Sequence, residues 1–313
     1  MTPDRVRAAL ESCVPATAIR EREPLARYTT FQVGGPADWF VEIRSLGELT
    51  GVMRACRTAG VPVTVLGGGS NVVVADAGLR GVVLRLRLCG MSQVTSTIVR
   101  AEAGATMNGF VRWTIARAIA GLEAWAGTPG TVGGAVFGNA HYGGRNIGEL
   151  VVDGLVVTPE AELGTLSRSQ LAFAYDTSRL QTSGEVLVWA DFAVARGVPD
   201  ELRAAARASL AHRKQTQPLA MPSAGCLFQN PDPARDRVPE GVPASAGALV
   251  DRAGLKGHRI GGAMISPVHA NFVVNDGHAT ARDIFQLAEA ARAAVRERFG
   301  VELRNEVVFL GHF

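Results

Sequence analysis

Two stretches dense in glycine, each set beside apolar runs, constrain the fold of this 313-residue chain more than any other feature of its sequence. The first stretch, residues 67–71, reads GGGSN and lies between apolar runs at residues 61–66 and 72–74. The second, residues 127–144, reads GTPGTVGGAVFGNAHYGG. Because glycine has no Cβ, such segments allow tight turns and let another group approach the backbone closely. The sequence therefore predicts two sharp turns beside buried strands.

The order of elements around the first stretch decides what kind of turn it is. A dinucleotide fingerprint of the form G-x-G-x-x-G opens a helix, whereas residues 72–74 read as a strand, so that fingerprint is excluded. The consecutive amides of Gly67, Gly68 and Gly69 can instead point toward one anion. The side chains of Ser70 and Asn71 can add hydrogen bonds to phosphate oxygens. The alternative is a plain strand-to-strand turn, which glycine also favours. Two such loops in one chain favour a dinucleotide held mainly by backbone.

The rest of the chain alternates between strand and helix signals. Ser45 and Glu48 form a capping-box pattern before apolar residues at helical spacing, and Gly60 ends that helix. Further helices are predicted over residues 106–121, 199–214 and 281–299, and strands over residues 40–44, 61–66, 81–86, 98–101, 154–157, 186–194, 271–275 and 301–310. The sequence shows no internal repeat, which argues against a solenoid or propeller.

Composition and charge exclude several classes of protein. Hydrophobic residues make up 47% and charged residues 19% of the chain, which is a globular composition. The net charge is +3, and no long run of Lys or Arg predicts a nucleic-acid surface. The first residues do not read as a signal peptide, and no apolar window is long enough for a membrane span. The four cysteines are far apart and predict neither a zinc site nor disulfides. We expect a reduced, cytoplasmic protein.

Six segments occur in an order that is specific to one enzyme family. They are YTTFQVGGPADWF, VLGGGSNVVVAD, GTPGTVGGAVFGNA, PSAGCLFQNP, AGLKGHRIGGAMISPVHANFVVN and LRNEVVFLG, and they span residues 28–311. Together they resemble the UDP-N-acetylenolpyruvoylglucosamine reductase family, MurB. The resemblance implies an α+β fold with an FAD-binding part of the vanillyl-alcohol-oxidase type in two subdomains, and a C-terminal α+β substrate domain. The expected boundaries are residues 1–77, residues 78–214 with a C-terminal strand at 300–313, and residues 215–299.

The resemblance also implies a reaction. NADPH reduces FAD, and the flavin then reduces the enolpyruvyl group of a UDP-sugar to give UDP-N-acetylmuramate for peptidoglycan synthesis. We expect a monomer whose partner is this small molecule, without metal, nucleic acid or membrane. Thirteen residues are expected to contact the cofactor, namely Gly67, Gly68, Gly69, Ser70, Asn71, Gly104, Thr128, Pro129, Gly130, Gly133, Gly134, Ala135 and Asn139.

Two residues match the family's acid groups. Cys226, in PSAGCLFQNP, lies where the family places a proton donor that is usually serine, and a thiol is a stronger acid than a hydroxyl. The alternative is a buried structural thiol. Glu306, in the apolar segment VELRNEVVFL, matches a glutamate that helps to stabilise or protonate the enolate. The alternative for Glu306 is a solvent-facing residue on a half-buried strand. Tyr175, Ser178, Lys214 and Asn230 are expected to bind substrate.

One residue departs from the family pattern. The family has F-x-Y-R-x-S, where this chain has FAYDTS, so Asp176 replaces an arginine that faces the substrate carboxylate. An ion pair at about 4 Å contributes roughly 4 kcal/mol at an effective dielectric of about 20, and a carboxylate there would repel instead. Arg179, which we assign as catalytic, and Arg145 are the candidates to replace that charge. The competing hypotheses are a flavin-binding paralogue without reductase activity and a flavin oxidase acting on another small molecule.

Overall fold

The computed structural model describes residues 2–232 and 234–313. The helices of this part of the chain are α1 Pro3–Glu11, α2 Leu46–Ala59, α3 Met107–Ile115, α4 Val132–Phe137, α5 Arg168–Leu171, α6 Leu180–Ser183, α7 Pro199–Thr216, α8 Ala246–Arg252 and α9 Ala281–Phe299. The strands are β1 Ile19–Pro24, β2 Pro36–Ile43, β3 Val63–Val65, β4 Val72–Val74, β5 Leu79–Leu86, β6 Met91–Gln93, β7 Ile98–Glu102, β8 Ile119–Ala120, β9 His141–Tyr142, β10 Arg145–Asn146, β11 Val151–Val157, β12 Leu163–Ser167, β13 Val186–Ala193, β14 Ala195–Arg196, β15 Arg259–Ile260, β16 Ala263–Ile265, β17 Val273–Asn275 and β18 Val308–Leu310.

The chain forms two compact units, each gathered from separate segments. The first unit contains the residues up to Glu23 with Asp38–Gly68 and Arg80–His212. The second contains Pro24–Ala37, Gly69–Leu79 and Arg213–Phe313. The predicted boundaries at residues 77, 214 and 299 stay a prediction, because these units are groups of packed residues and not single stretches of chain.

The first unit is built on two sheets. One has the strand order β1-β2-β5-β3, and β3 pairs with β5 in parallel. The other has the order β12-β11-β13-β7-β6, and all of its pairs are antiparallel. A core of wholly buried aromatic residues includes Trp125, Phe110 and Phe192, and the last two rings lie 5.2 Å apart. Burying side chains of this size contributes roughly 1.5–3 kcal/mol each.

Helix α2 of the first unit follows its sequence signals. The Ser45 side chain accepts a hydrogen bond from Glu48 N, and the Glu48 carboxylate accepts one from Arg44 N. The first bond satisfies an amide that the first turn would otherwise leave without a partner, and the second ties the residue before the cap to that turn. The helix ends at Gly60, which has a φ of +63°. The capping pattern therefore predicted both ends correctly.

The second unit packs α9 against α8 and against a three-stranded antiparallel sheet of order β15-β16-β17. The buried face of α9 holds Ile284, Leu287, Ala288, Ala291 and Val295. Its N-terminus is doubly capped, because Thr280 accepts from Asp283 N within the helix and the Asp76 carboxylate accepts from Ala281 N and Arg282 N at 2.8 and 3.0 Å. Asp76 thereby ties the segment after β4 to the start of this helix.

Three elements differ from their predicted form. Residues 61–66 give only the short strand β3, and Val65 is 40% exposed although a buried strand was expected. Helix α3 ends at Ile115, not near Gly121, because Ala118 takes a φ of +56° and the next two residues form β8. The predicted strand over 301–310 is regular only in β18, while Asn305 makes a single antiparallel bridge to Phe228.

Candidate functional site

The two glycine turns approach each other within the first unit. A Cβ on Gly67 would lie 2.7 Å from Thr131 Oγ1, and one on Gly68 would lie 2.5 Å from Gly130 Cα. No side chain fits at Gly68 unless one of the two backbones moves, since ordinary carbon contacts are about 3.5–4.0 Å. The bare backbone that the sequence showed is therefore used for close packing of one turn on the other.

Among the described residues, the amides of the first turn have no hydrogen-bond acceptor. In the described part of the chain, the backbone N–H groups of Gly67, Gly68, Gly69, Ser70 and Asn71 donate no hydrogen bond. Gly69 has a φ of +63°, a conformation in which successive amides can converge on one anion. The binding of a diphosphate by this turn stays a prediction.

The second turn leads directly into α4. Thr131 caps this helix by accepting from Gly134 N at 3.2 Å. Gly130 O accepts from Met107 N, and Gly133 N donates to Ala103 O. A Cβ on Gly133 would lie 2.9 Å from the Ala103 side chain, so this glycine is needed for packing. The turn is therefore fixed from several sides before any ligand binds.

Other residues predicted to contact the cofactor have contacts within the protein. Gly104 N donates to Leu88 O, and a Cβ there would meet Leu86 O at 2.4 Å. Asn139 is buried, and its amide group donates to Ala174 O and accepts from Gly148 N. Thr128 N donates to Trp125 O, Pro129 lies between that residue and Gly130, and Ala135 is 6% exposed. Their role toward the cofactor stays a prediction.

Backbone bonds in the second unit connect the end of the first turn, Glu306 and the residue after Cys226. Asn71 Nδ2 donates to Glu306 O at 3.0 Å, and Glu306 N donates to Leu227 O at 2.9 Å. Leu227 directly follows Cys226, which itself forms a backbone bridge with Phe272. Residues from three distant parts of the sequence thus meet through backbone bonds. Cys226 and Glu306 are both partly exposed, as groups that meet a ligand must be.

The residues predicted to bind substrate are distributed over both units. In the second unit, Asn230 is exposed and its Oδ1 accepts from Ala246 N at 3.0 Å, and Lys214 is exposed in the last turn of α7. In the first unit, Tyr175 is 46% exposed, while Ser178 is buried and donates to Phe137 O at 2.8 Å. Ser178 therefore holds its loop, and its role toward the substrate stays a prediction.

The departure at position 176 has a specific structural setting. Asp176 Oδ1 lies 2.8 Å from His141 Nδ1, and the carboxylate is almost fully covered. The Arg179 guanidinium makes two bonds of 2.9 Å to Glu185, which is also buried. Arg145 lies 5.5 Å above the Trp125 ring. Neither of these arginine contacts is with the carboxylate at position 176, and the role of Arg179 stays a prediction.

Sequence reasoning missed three residues of this region. Thr131 caps α4 and lies against Gly67. Its position, three residues before Gly134 in the second stretch, was the sequence pattern that could have indicated this cap. Asp76 caps α9 across 205 positions of sequence, which no local pattern shows. His141 lies in the second glycine-dense stretch, and its partner Asp176 lies 35 positions later, a separation that no local pattern shows.

Comparisons with known proteins agree with this arrangement. The family model described as UDP-N-acetylenolpyruvoylglucosamine reductase, C-terminal domain, matches residues 217–310, and the model described as FAD binding domain matches residues 37–167. UDP-N-acetylenolpyruvoylglucosamine reductase of Syntrophus aciditrophicus is 40% identical over 98% of this chain and 96% of its own length. The enzyme of Geotalea uraniireducens is 38% identical over 94% of each chain.

Solved structures confirm the fold class. The crystal structure of UDP-N-acetylenolpyruvylglucosamine reductase from Thermus caldophilus matches with a TM-score of 0.76 and 30% identity, covering 94% of this chain and all of that one. Phl p 4.0202, a glucose dehydrogenase, matches with a TM-score of 0.50 and 14% identity over 62% of this chain and 44% of that one, which shows a shared fold alone. The predicted α+β fold with an FAD-binding part of the vanillyl-alcohol-oxidase type is confirmed. Among the described residues, no helix combines the length and hydrophobicity needed to cross a bilayer. The chain is an FAD-dependent oxidoreductase and belongs to the UDP-N-acetylenolpyruvoylglucosamine reductase family.

Proposed function

We propose that this protein uses NADPH to reduce UDP-N-acetylglucosamine enolpyruvate to UDP-N-acetylmuramate, in the cytoplasm and as a monomer. The observation that carries the proposal is the set of backbone bonds in the second unit that joins Asn71, Glu306 and the residue after Cys226. A turn suited to a diphosphate, a carboxylate and a thiol are the groups that a flavin-dependent reduction of an enol ether requires.

Each group has a distinct task in this proposal. The bare amides of residues 67–71 bind the diphosphate of FAD, which when bound supplies the hydride that it received from NADPH. A hydride delivered to the terminal vinyl carbon of the substrate would leave an electron pair on the adjoining carbon. The Cys226 thiol donates a proton to that carbon, and solvent returns the proton to the thiolate. Positioned general acids typically contribute about 100- to 10,000-fold in rate.

Glu306 and the substrate residues complete the assignment. The backbone of Glu306 is held at both its N–H and its C=O, so its side chain starts from a fixed point. From there the carboxyl group polarises or protonates the developing enolate. Tyr175, Lys214 and Asn230 bind the sugar nucleotide, and the exposure of all three suits that task.

One observation favours a second function. Asp176 puts a carboxylate where the family has an arginine, so a flavin-binding paralogue without reductase activity is the alternative. An anaerobic experiment separates the two. The purified flavoprotein is reduced with NADPH, UDP-N-acetylglucosamine enolpyruvate is added, and the flavin spectrum is recorded. Return of the oxidised spectrum supports the reductase, and a flavin that stays reduced supports the paralogue.

The Cys226→Ala variant tests the proton donor in the same experiment. We expect flavin reduction by NADPH to be unchanged and substrate turnover to fall by about 100-fold or more. Cys89→Ala is the control, because Cys89 is an exposed thiol that lies between β5 and β6 of the first unit. Unimpaired turnover in Cys226→Ala would remove the thiol from the mechanism.

A further inference from the structure

A buried asparagine in the second unit has no role in the mechanism above. Asn271 is 3% exposed, and its side chain makes two hydrogen bonds with the backbone of a single residue, Phe228. Asn271 Oδ1 accepts from Phe228 N at 2.9 Å, and Asn271 Nδ2 donates to Phe228 O at 2.7 Å. Phe228 lies two positions after Cys226. The side-chain amide of Asn271 therefore holds the backbone next to the proposed proton donor.

Asn271 is bonded to the same segment through its own backbone. Leu227 N donates to Asn271 O at 2.7 Å, and Cys226 forms a single antiparallel bridge with Phe272, the residue after Asn271. Together with the two side-chain bonds, Asn271 thus satisfies three backbone groups of Leu227 and Phe228. Leu227 is 2% and Phe228 is 1% exposed, so a bond lost here is not replaced by one to bulk water. The conformation of this segment therefore depends on Asn271.

The same segment also holds the backbone of Glu306. Leu227 O accepts from Glu306 N at 2.9 Å and from Val307 N at 3.4 Å. The segment after Cys226 thus lies between two chains, one that contains Asn271 and one that carries the proposed enolate-stabilising carboxyl group. Because both chains bond to Leu227, a shift of that residue changes the position of Cys226 relative to Glu306.

The position of Asn271 is itself fixed by His269. Asn271 N donates to His269 Nδ1 at 3.2 Å, and the centroids of the imidazole and the Phe272 ring lie 5.0 Å apart. Only a neutral imidazole has a nitrogen that accepts a hydrogen bond. Burial lowers the pKa of His269, and the positive charge of Lys256 lowers it further, so the neutral form is favoured. A Cβ on Gly247 would lie 3.1 Å from His269 Cε1, which shows how closely the ring is packed.

We propose that Asn271 is a positioning residue that sets the place of Cys226 relative to Glu306 for protonation of the reduced substrate. The inference rests on the proposed function. Because Asn271 is buried, it acts through the backbone of Leu227 and Phe228 and not by contact with the substrate. A general acid has to lie within hydrogen-bond reach of the atom that it protonates, and a displacement of about 1 Å can lower a rate by about 100-fold.

Alanine variants of two buried asparagines test the proposal. We expect Asn271→Ala to lower kcat by about 10- to 100-fold and to change the KM for UDP-N-acetylglucosamine enolpyruvate by less than about threefold. Flavin reduction by NADPH should be unchanged. Asn275→Ala is the matched control, because Asn275 is also 3% exposed in the same unit, its Nδ2 donates to Phe31 O and its Oδ1 accepts from Gly277 N. We expect Asn275→Ala to lose stability in urea unfolding and to keep the kcat of wild type.

Aspartate variants test the two side-chain bonds without a change of volume. In Asn271→Asp a carboxylate accepts from Phe228 N but has no proton to donate to Phe228 O, whereas a protonated carboxyl group makes both bonds. Burial raises the pKa of a carboxyl group, so kcat relative to wild type should rise about fivefold or more as the pH falls from about 8 to about 6.5. His269 remains mainly neutral over this range, because burial lowers its pKa from 6.5. The kcat of Asn275→Asp relative to wild type should not depend on pH.

The outcomes that contradict the inference are distinct. Equal losses of kcat in Asn271→Ala and Asn275→Ala overturn it, because the effect is then general destabilisation. A folded Asn271→Ala with the kcat of wild type, or with a raised KM alone, overturns it as well. If Asn271→Ala does not fold, Asn271→Asp decides, and a deficit in kcat that is the same at both pH values overturns the inference. A wild-type enzyme that NADPH reduces but that does not convert the substrate overturns the proposed function itself.

Discussion

Replacing Gly68 with alanine tests whether the close approach of the two glycine turns is needed to hold FAD. A Cβ on Gly68 would lie 2.5 Å from Gly130 Cα and 3.1 Å from the Gly130 carbonyl carbon. Carbon atoms pack at about 3.5–4.0 Å, so one turn has to move by roughly 1 Å. Both contacts are with backbone, so no side-chain rotation relieves the overlap. Overpacking of this kind costs about 1–3 kcal/mol.

The measurement is the FAD dissociation constant, obtained by quenching of flavin fluorescence as cofactor-free protein is added. If the displaced turn carries the amides that bind phosphate, the Kd rises by about 5- to 150-fold. Gly67→Ala meets Thr131 Oγ1 at 2.7 Å, the end of a side chain that can rotate. That rotation breaks the hydrogen bond by which Thr131 caps α4, so we expect the free energy of unfolding to fall by about 1 kcal/mol.

The matched control is Gly164→Ala in β12. Its Cβ would lie 3.6 Å from the Val156 side chain, an ordinary contact, so FAD affinity should equal that of wild type. The reasoning is refuted if Gly68→Ala remains folded and binds FAD within about twofold of wild type. Equal weakening in Gly164→Ala would show instead that the effect is general destabilisation.

Three further predictions concern stability and reactivity. Asp76→Ala removes two charge-assisted hydrogen bonds from the start of α9, so urea unfolding should show a free energy of unfolding lower by about 2 kcal/mol. Asp200→Ala, in the exposed first turn of α7, should change that free energy little. Burial lowers the pKa of His269, so the unfolded chain takes up a proton that the folded one does not. The stability that comes from neutral His269 is complete above about pH 6.5 and is lost as the pH falls. The free energy of unfolding of His269→Gln should lack this dependence on pH. Burial raises the pKa of Cys56 to about 11, so iodoacetamide should label it only after unfolding; rapid labelling of the native protein would contradict this.

Local patterns predicted the elements that local bonds determine. The helix after Ser45 and the helix over residues 281–299 were predicted correctly because each begins at a side-chain cap and ends at a glycine with positive φ. The two glycine turns were predicted because a backbone without Cβ atoms can form tight turns and adopt positive φ, which other residues rarely do. The segment 301–310 was harder to predict, because its alternating pattern also suits a chain that makes one isolated β-bridge and no continuous strand pairing.

The Asp176–His141 pair could not be predicted from the sequence. At position 176 the sequence shows an aspartate where the family has an arginine. The residue that contacts this aspartate, His141, lies in a hairpin of two short strands that no periodic pattern indicates. Arg179 was the natural candidate from its spacing, but a buried glutamate six positions later takes up its guanidinium. Desolvation in the folded unit decides which charged side chains pair with each other. The spacing of residues along the chain does not reveal that pairing.

The bond between Asn71 and Glu306 has a consequence for biosynthesis. Its two residues are separated by 235 positions, and Val308 N also donates to Asn71 O as β18 pairs with β4. A ribosome adds roughly 5–20 residues per second, so the first glycine turn emerges many seconds before the segment that completes its surroundings. Throughout that interval its amides lack their final neighbours. FAD is therefore expected to bind late in synthesis, after the segment that follows α9 has left the ribosome.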